Sequence, residues 1–406
     1  MSHNRRNFLK AAGTAGIFAT AGCLGGLGGG GSSGPFSIGM VDSRTGSLEE
    51  FGTRNKRGME LALADVNAVG IDGRDLDIIV EDSQSQQQAG VSAAQKLVNQ
   101  DQVPLLIGAV SSGVSIAIHE SVVQGTDVVQ ISQNSTSPKL SDYPDLMRMS
   151  PTGSLQAKAL AQLIKEDGHS SVAITWLNNA YGQGVQEAFV DAYDGDIKYN
   201  QPHDQGKASY TNAVTGMADA GADAWLFISY QPEFTTMAQE SYDKGYLGDV
   251  ALYGSDSVKG PKVLQNIPEG SIDGMTIIAP SAALDQENYK RFAENFNSDY
   301  GRDPTAWSAY AYDAIVVGAL GVQAADEFTG AAIGEVVRDI TRPEGQKVYS
   351  FEEGQQLLAD GASASEVNYE GVSGPIDLNE KGDPAAYEQI FEIQNHSYES
   401  TGFIST

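Results

Sequence analysis

Ser111, Ser112 and Gly113 stand just past an apolar run, Leu105 to Ile107, in a chain of 406 residues. The run reads as a buried parallel strand that Gly108 breaks. Val114, Ile116, Ile118 and Val122 read as the apolar residues of the helix that follows. Serine hydroxyls and N–H groups at a helix start form an anion site, and a small carboxylate fits there. The plainer account is that Ser111 or Ser112 only caps the helix. Other segments add donors and walls. Thr45 to Phe51 is a Gly/Ser loop ending in an aromatic, and Asn134-Ser135-Thr136 opens a hydroxyl-rich loop. Asn179 to Gly182 brings Tyr181, Tyr230 to Glu233 brings Tyr230, and Tyr253 to Asp256 brings a carboxylate. Together they offer donors for a carboxylate, one anionic partner for an ammonium, and aromatic walls. An amino acid satisfies every element of such a pocket. Singly, each has a plainer reading: Tyr181 as a packing residue at a helix start, Asp256 as an N-cap near Val258.

The elements that position these residues alternate. From Pro35 the pattern predicts strands at 36–41, 76–81, 105–107 and 127–131, with helices at 49–67 and 86–100 between them. Phe51, Asn55, Met59, Ala62 and Val66 share one face of the first helix. A second series predicts helices at 154–166, 182–193, 211–220 and 233–244. Strands are expected in it at 171–176, 222–228, 250–253 and 275–278. Helices at 286–300 and 307–325 follow, then a strand and tight turn near 371–383 and a last strand at 388–393. Repeated β-α units imply parallel sheets with helices on both faces, here in two lobes. Ligands in such folds sit beyond the carboxyl ends of strands, where the loops above fall.

Composition narrows the function further. Acidic residues outnumber basic ones 53 to 25, for a net charge of −28. That charge argues against nucleic acid as a partner. The acidity is dispersed, which reads as a surface kept hydrated in high salt, as in a halophile. Cys23 is the one cysteine, so no disulfide within the chain and no cysteine-based zinc site is expected. The five histidines are scattered without ligand spacing. No metal and no cofactor is expected. There is no nucleophile elbow, zinc-protease motif or phosphate loop, so the chain is not read as an enzyme.

The first residues read as an address. Arg5-Arg6-Asn7-Phe8-Leu9-Lys10 is a twin-arginine export signal. The weakly apolar stretch after it ends in Thr20-Ala21-Gly22-Cys23, which resembles a lipobox with Cys23 as the lipid anchor. Thr20 stands where a leucine is usual. A glycine-rich tether follows. The expected organisation is a signal with lipobox over 1–23 and a Gly/Ser tether over 24–35. Lobe 1 is expected from 36–153 plus 277–345, and lobe 2 from 154–276 plus 346–406.

Taken jointly, the motifs carry a resemblance. The stretches are Thr45-Gly, Phe51-Gly, Gly58 to Asn67, Glu81-Asp82, Ala93 to Val98, Leu106-Ile-Gly with Ser111-Ser, Thr136 to Leu140, Met147-Arg148, Tyr181 to Gly184, and Gly371 to Ile376. In order and spacing they resemble the periplasmic binding proteins for branched-chain amino acids, amides and urea that serve ABC importers. The resemblance implies an α/β fold of two doubly wound parallel-sheet lobes, joined by three crossovers and closing on a small-molecule ligand. It implies that Ser112 and Thr136, with Ser111, Ser135 and nearby main chain, hold a ligand carboxylate. Asp256 is implied for the ammonium, with Phe51, Tyr181 and Tyr230 as walls. Asn134, Gln231, Asp256 and Gly113 depart from the leucine-type pattern, so an apolar and a polar side chain both remain open.

The function expected is that of an extracytoplasmic, lipid-anchored monomer on the outer face of the membrane. It hands an amino acid or amide to an ABC permease. The alternative is a sensory binding protein for amides, urea or amino acids, acting through a separate membrane partner.

Overall fold

The computed structural model describes residues 34–143, 145–248, 250–385 and 387–405. The export signal, Cys23 and residues 24–33 of the tether lie outside the described residues. No helix among the described residues is long and apolar enough to cross a membrane.

The first sheet holds β1 (Phe36–Asp42), β2 (Leu76–Asp82), β3 (Leu105–Gly108), β4 (Val129–Ser132) and β5 (Leu146–Arg148). All are parallel, in the order β2-β1-β3-β4-β5. β3 and β4 are buried at every position; β3 is an unbroken apolar run, while Gln130 and Ser132 of β4 donate to the carbonyls of Gly108 and Ala109. The intervening helices are α1 (Glu49–Val69), α2 (Gln87–Asn99) and α3 (Ser112–Ile118). All five residues predicted for the inner face of α1 are buried.

The second sheet begins with β6 (Ser171–Leu177), β7 (Asp196–His203), β8 (Ala224–Ile228), β9 (Ala251–Gly254) and β10 (Thr276–Pro280). Around it run α4 (Gly153–Glu166), α5 (Ala180–Ala192), α6 (Thr211–Ala220), α7 (Gln231–Asp243) and the short α8 (Pro261–Gln265). The chain then returns to the first lobe as α9 (Glu287–Tyr300), α10 (Ala306–Ala324) and α11 (Gly330–Val337). β11 (Gln346–Val348), α12 (Phe351–Ala359), β12 (Val367–Gly371) and β13 (Gly374–Pro375) complete that lobe. Finally β14 (Tyr387–Gln394) and β15 (Ser397–Ser405) close the second sheet, in the order β15-β14-β10-β9-β8-β6-β7. β14 pairs antiparallel with both β10 and β15, so this sheet is parallel except along that edge.

The chain therefore crosses between lobes three times: after β5, after β10 and before β14. Two expected boundaries move. Residues 277–280 were assigned to lobe 1, but β10 pairs with β9 and β14 in lobe 2. Residues 346–375 were assigned to lobe 2, but they pack on lobe 1 through α10 and α12. The reason is the buried carboxylate of Asp313 on α10. It accepts from the Tyr369 hydroxyl at 2.8 Å and from the N–H groups of Val372 and Ser373 at 2.9 Å each. Four hydrogen bonds, counting the Ser373 hydroxyl, tie β12 and the turn after it to that helix.

α10 is buried at every position from Trp307 to Val322. It lies close against α1 because Gly58 has no side chain. A Cβ there would meet the Ser308 carbonyl oxygen at 2.0 Å.

Asp313→Ala would strand four buried donors. Urea unfolding should show a loss of about 3 kcal/mol, the scale of unsatisfied buried polar groups. An unchanged midpoint would mean the Asp313 bonds do not hold residues 367–375 in place.

Candidate functional site

Nearly all the loops singled out above meet between the two lobes. They enclose a cavity of about 20 Å³. Its lobe 1 wall is Leu48, Phe51, Val110, Ser112, Asn134, Thr136 and Trp307. Its lobe 2 wall is Tyr181, Tyr230, Asp256 and Ser257. A space of that size holds about one water molecule.

Asp256 starts the turn after β9 and is 3% exposed. Its Oδ1 lies 2.7 Å from the Tyr181 hydroxyl and 3.1 Å from Gln156 Nε2, which also donates to the Ile278 carbonyl. Ser257 donates to Oδ2 at 3.1 Å. Every partner is neutral, and no ion pair reaches this carboxylate among the described residues. Burial pushes its pKa up, and the hydrogen bonds from Tyr181, Gln156 and Ser257 oppose that shift. Glu388 on β14 is buried beside it, with neither carboxylate oxygen hydrogen-bonded. Burial first, then the charge of Asp256, raises the Glu388 pKa well above the usual range.

The aromatic walls are fixed by contact with one another. Tyr181, one residue into α5, stacks on Tyr230 at 5.6 Å and 18°. Asn179 caps α5 by accepting from the Gly182 N–H, and its amide nitrogen lies 3.3 Å from the Tyr230 hydroxyl. Phe51 meets the edge of Trp307 at 5.2 Å.

On the lobe 1 side, Ser111 precedes α3 but its side chain makes no capping bond. Its hydroxyl instead lies 3.3 Å from that of Tyr230, a contact between lobes. Ser112 Oγ accepts from the Ser137 N–H at 3.1 Å. Ser135 is buried away from the cavity. Its hydroxyl bonds Ser115 at 2.8 Å and the Ala109 carbonyl at 3.1 Å. Ser111 and Ser135 thus brace the site without lining it, whereas the other seven expected ligand-binding positions line it.

Leu48, Val110, Ser257 and Trp307 also line the cavity and were not foreseen. Trp307 read only as the start of a buried helix. A second residue missed as part of the site's support is Arg148, which is fully buried at the end of β5. Its Nε donates to Asp383 Oδ1 at 2.7 Å, and one terminal nitrogen also pairs with that oxygen at 2.6 Å. The other terminal nitrogen donates to the carbonyls of Ser135 at 3.3 Å and Ser137 at 2.8 Å. Ser141 takes a further bond at 2.8 Å. All three guanidinium nitrogens are engaged, and two of the four hydrogen bonds hold the loop that carries Asn134 and Thr136.

Beside the inner cavity, and sharing Asp256 and Trp307 with it, opens a larger one of about 600 Å³. Arg54 from lobe 1 and Lys259 from lobe 2 line it. Lys259 Nζ sits 4.0 Å over the Phe391 ring, and burial with the nearby Arg54 charge lowers its pKa to about 8.

Two α/β lobes with a buried polar cleft between them define a solute-binding architecture. Residues 35–393 match the family described as periplasmic binding protein, and the chain belongs to that family. It is 27% identical over 217 residues to the Leu/Ile/Val-binding protein homolog 3 of Brucella melitensis, which covers 52% of this chain and 58% of that protein. It is 23% identical over 309 residues to the leucine-, isoleucine-, valine-, threonine-, and alanine-binding protein of Pseudomonas aeruginosa, 74% of this chain and 81% of that protein. The fold matches the branched-chain amino acid transporter substrate binding protein of Streptococcus pneumoniae in complex with isoleucine. The TM-score is 0.77 at 21% identity, covering 92% of this chain and 100% of that one. These relatives are binding proteins, not enzymes.

Arg148→Met removes one half of a buried ion pair and four hydrogen bonds. Denaturant unfolding should show a loss of about 3–5 kcal/mol. A cost under about 1 kcal/mol would show that the loop at 134–138 is held by other contacts.

Proposed function

We propose that the chain captures an amino acid in the cleft between its lobes and delivers it to an ABC permease. The observation that carries this reading is Asp256: a carboxylate buried between two lobes, surrounded by neutral donors and without a cation. An α-ammonium supplies the missing charge. Across the cavity, the Ser112 and Thr136 hydroxyls and the N–H groups at the start of α3 face the position of the α-carboxylate. Phe51, Tyr181, Tyr230 and Trp307 wall the side chain. Closure of the lobes then buries the solute, and the closed form is what a permease reads. The names of the relatives, binding proteins for leucine, isoleucine, valine, threonine and alanine, support the solute class.

The leader places this function outside the cytoplasm. Arg5-Arg6 directs twin-arginine export of the folded chain, and Cys23 carries the lipid that holds a monomer at the membrane through the glycine-rich tether. The dispersed negative charge suits a high-salt exterior.

Two outcomes are expected from calorimetric titration of amino acids in molar KCl. Asp256→Asn should weaken binding about 30-fold or more, since it removes one partner of a buried charge pair. In the unsubstituted protein the ammonium needs an ionised Asp256, whose pKa is raised in the free cleft. Affinity should therefore fall on acidification, with a midpoint above about 4, the ordinary aspartate value. Unchanged affinity in Asp256→Asn would show that the solute lacks an ammonium or sits elsewhere.

A further inference from the structure

Asn134 lines the inner cavity, is 4% exposed, and has no hydrogen-bond partner for either side-chain polar atom. A buried primary amide offers two N–H donors and an acceptor, and leaving them unmet is costly. The backbone that carries it is held in place. The next residue is fixed by its N–H to Ser132 Oγ at 3.0 Å and by its carbonyl to Arg148 and Ser150. In an open cleft water meets the amide. In a closed one a solute group or a single enclosed water must.

The charges around the cavity narrow what that solute carries. Apart from the two tyrosines, Asp256 is the one ionisable side chain that lines it among the described residues. Arg54 and Lys259 line the outer cavity instead. With Asp256 taken by the α-ammonium, an acidic side chain would be buried without a cation, and a basic one without an anion. An alkyl side chain would pack on Leu48, Phe51, Val110 and Trp307 but leave Asn134 unmet.

Resting on the amino-acid reading above, we propose that Asn134 selects a neutral side chain that both donates and accepts, of which a carboxamide is the closest match. Asparagine and leucine have similar shape and differ in this chemistry, as do threonine and valine. A site built to hydrogen-bond a polar group discriminates against the analogue that lacks it.

The test is calorimetric titration of the full chain, and of Asn134→Leu and Asn134→Ala, with all four amino acids. In the unsubstituted protein, asparagine should bind at least about tenfold more tightly than leucine, and threonine more tightly than valine. Asn134→Leu should reverse the order. Asn134→Ala, which adds no bulk, should remove the preference if the leucine variant fails to fold. Leucine binding as tightly as asparagine to the unsubstituted protein would overturn the proposal. So would an equal loss for all four in the variants, which would place Asn134 on the ammonium and carboxylate common to every amino acid. Failure of all four to bind the folded protein would overturn the amino-acid reading as well.

Discussion

A carboxylate buried without a counter-charge is the constraint on which the arrangement of both lobes depends. Asp256 is removed from water by residues of both lobes, and its hydrogen-bond partners, Tyr181, Gln156 and Ser257, are neutral dipoles. Dipoles hold an anion in place but do not offset all the cost of its burial, and its pKa is raised accordingly. Under the proposed function a cationic solute group would remove that cost, and this would tie closure to occupancy. Ligand binding and lobe closure are then one equilibrium with a shared electrostatic origin.

The rest of the structure keeps the opposing wall rigid. Arg148 reaches from β5 to the carbonyls behind Asn134 and Thr136, while Asp383 answers its charge from the crossover that leads to β14. The loop is thereby joined to a hinge segment as well as to its own sheet. Ser115, Ser132 and Ser135 tie the same loop to the end of β3. Buried hydroxyl and guanidinium networks of this kind leave no donor unused, and they fix which side chains face the solute.

Much of the architecture was legible in local pattern. β3, α1 and the helices of the second lobe follow the periods of their apolar residues. The rule that loops after parallel strands carry function pointed to the loops of Ser112, Thr136, Tyr181 and Asp256, and the fold brings these residues to one cavity. The last crossover was not legible, because its position depends on contacts distant in sequence. Asp313 draws residues 367–375 to α10, and no local period records that. β11 has two exposed residues among its three, and β15 is largely polar, so neither carries a strand signature. Arg148 drew notice only through a resemblance of motif. Its role depends on Asp383, 235 positions away. Trp307 reads as the first turn of an apolar helix until the fold brings it against Phe51. Ser135 was expected to face the solute with its neighbours, but its hydroxyl is taken by Ser115 and the Ala109 carbonyl.

The central claim is that an α-ammonium at Asp256 closes the lobes. Small-angle scattering of the full chain in molar KCl tests it most directly. The protein is measured alone, with a saturating bound amino acid, and with the same compound lacking its amino group at equal concentration. The account predicts a smaller radius of gyration with the amino acid and no change with the deaminated analogue. Equal contraction with both would show that closure is driven by the carboxylate or the side chain, and that Asp256 is not the group on which the mechanism depends.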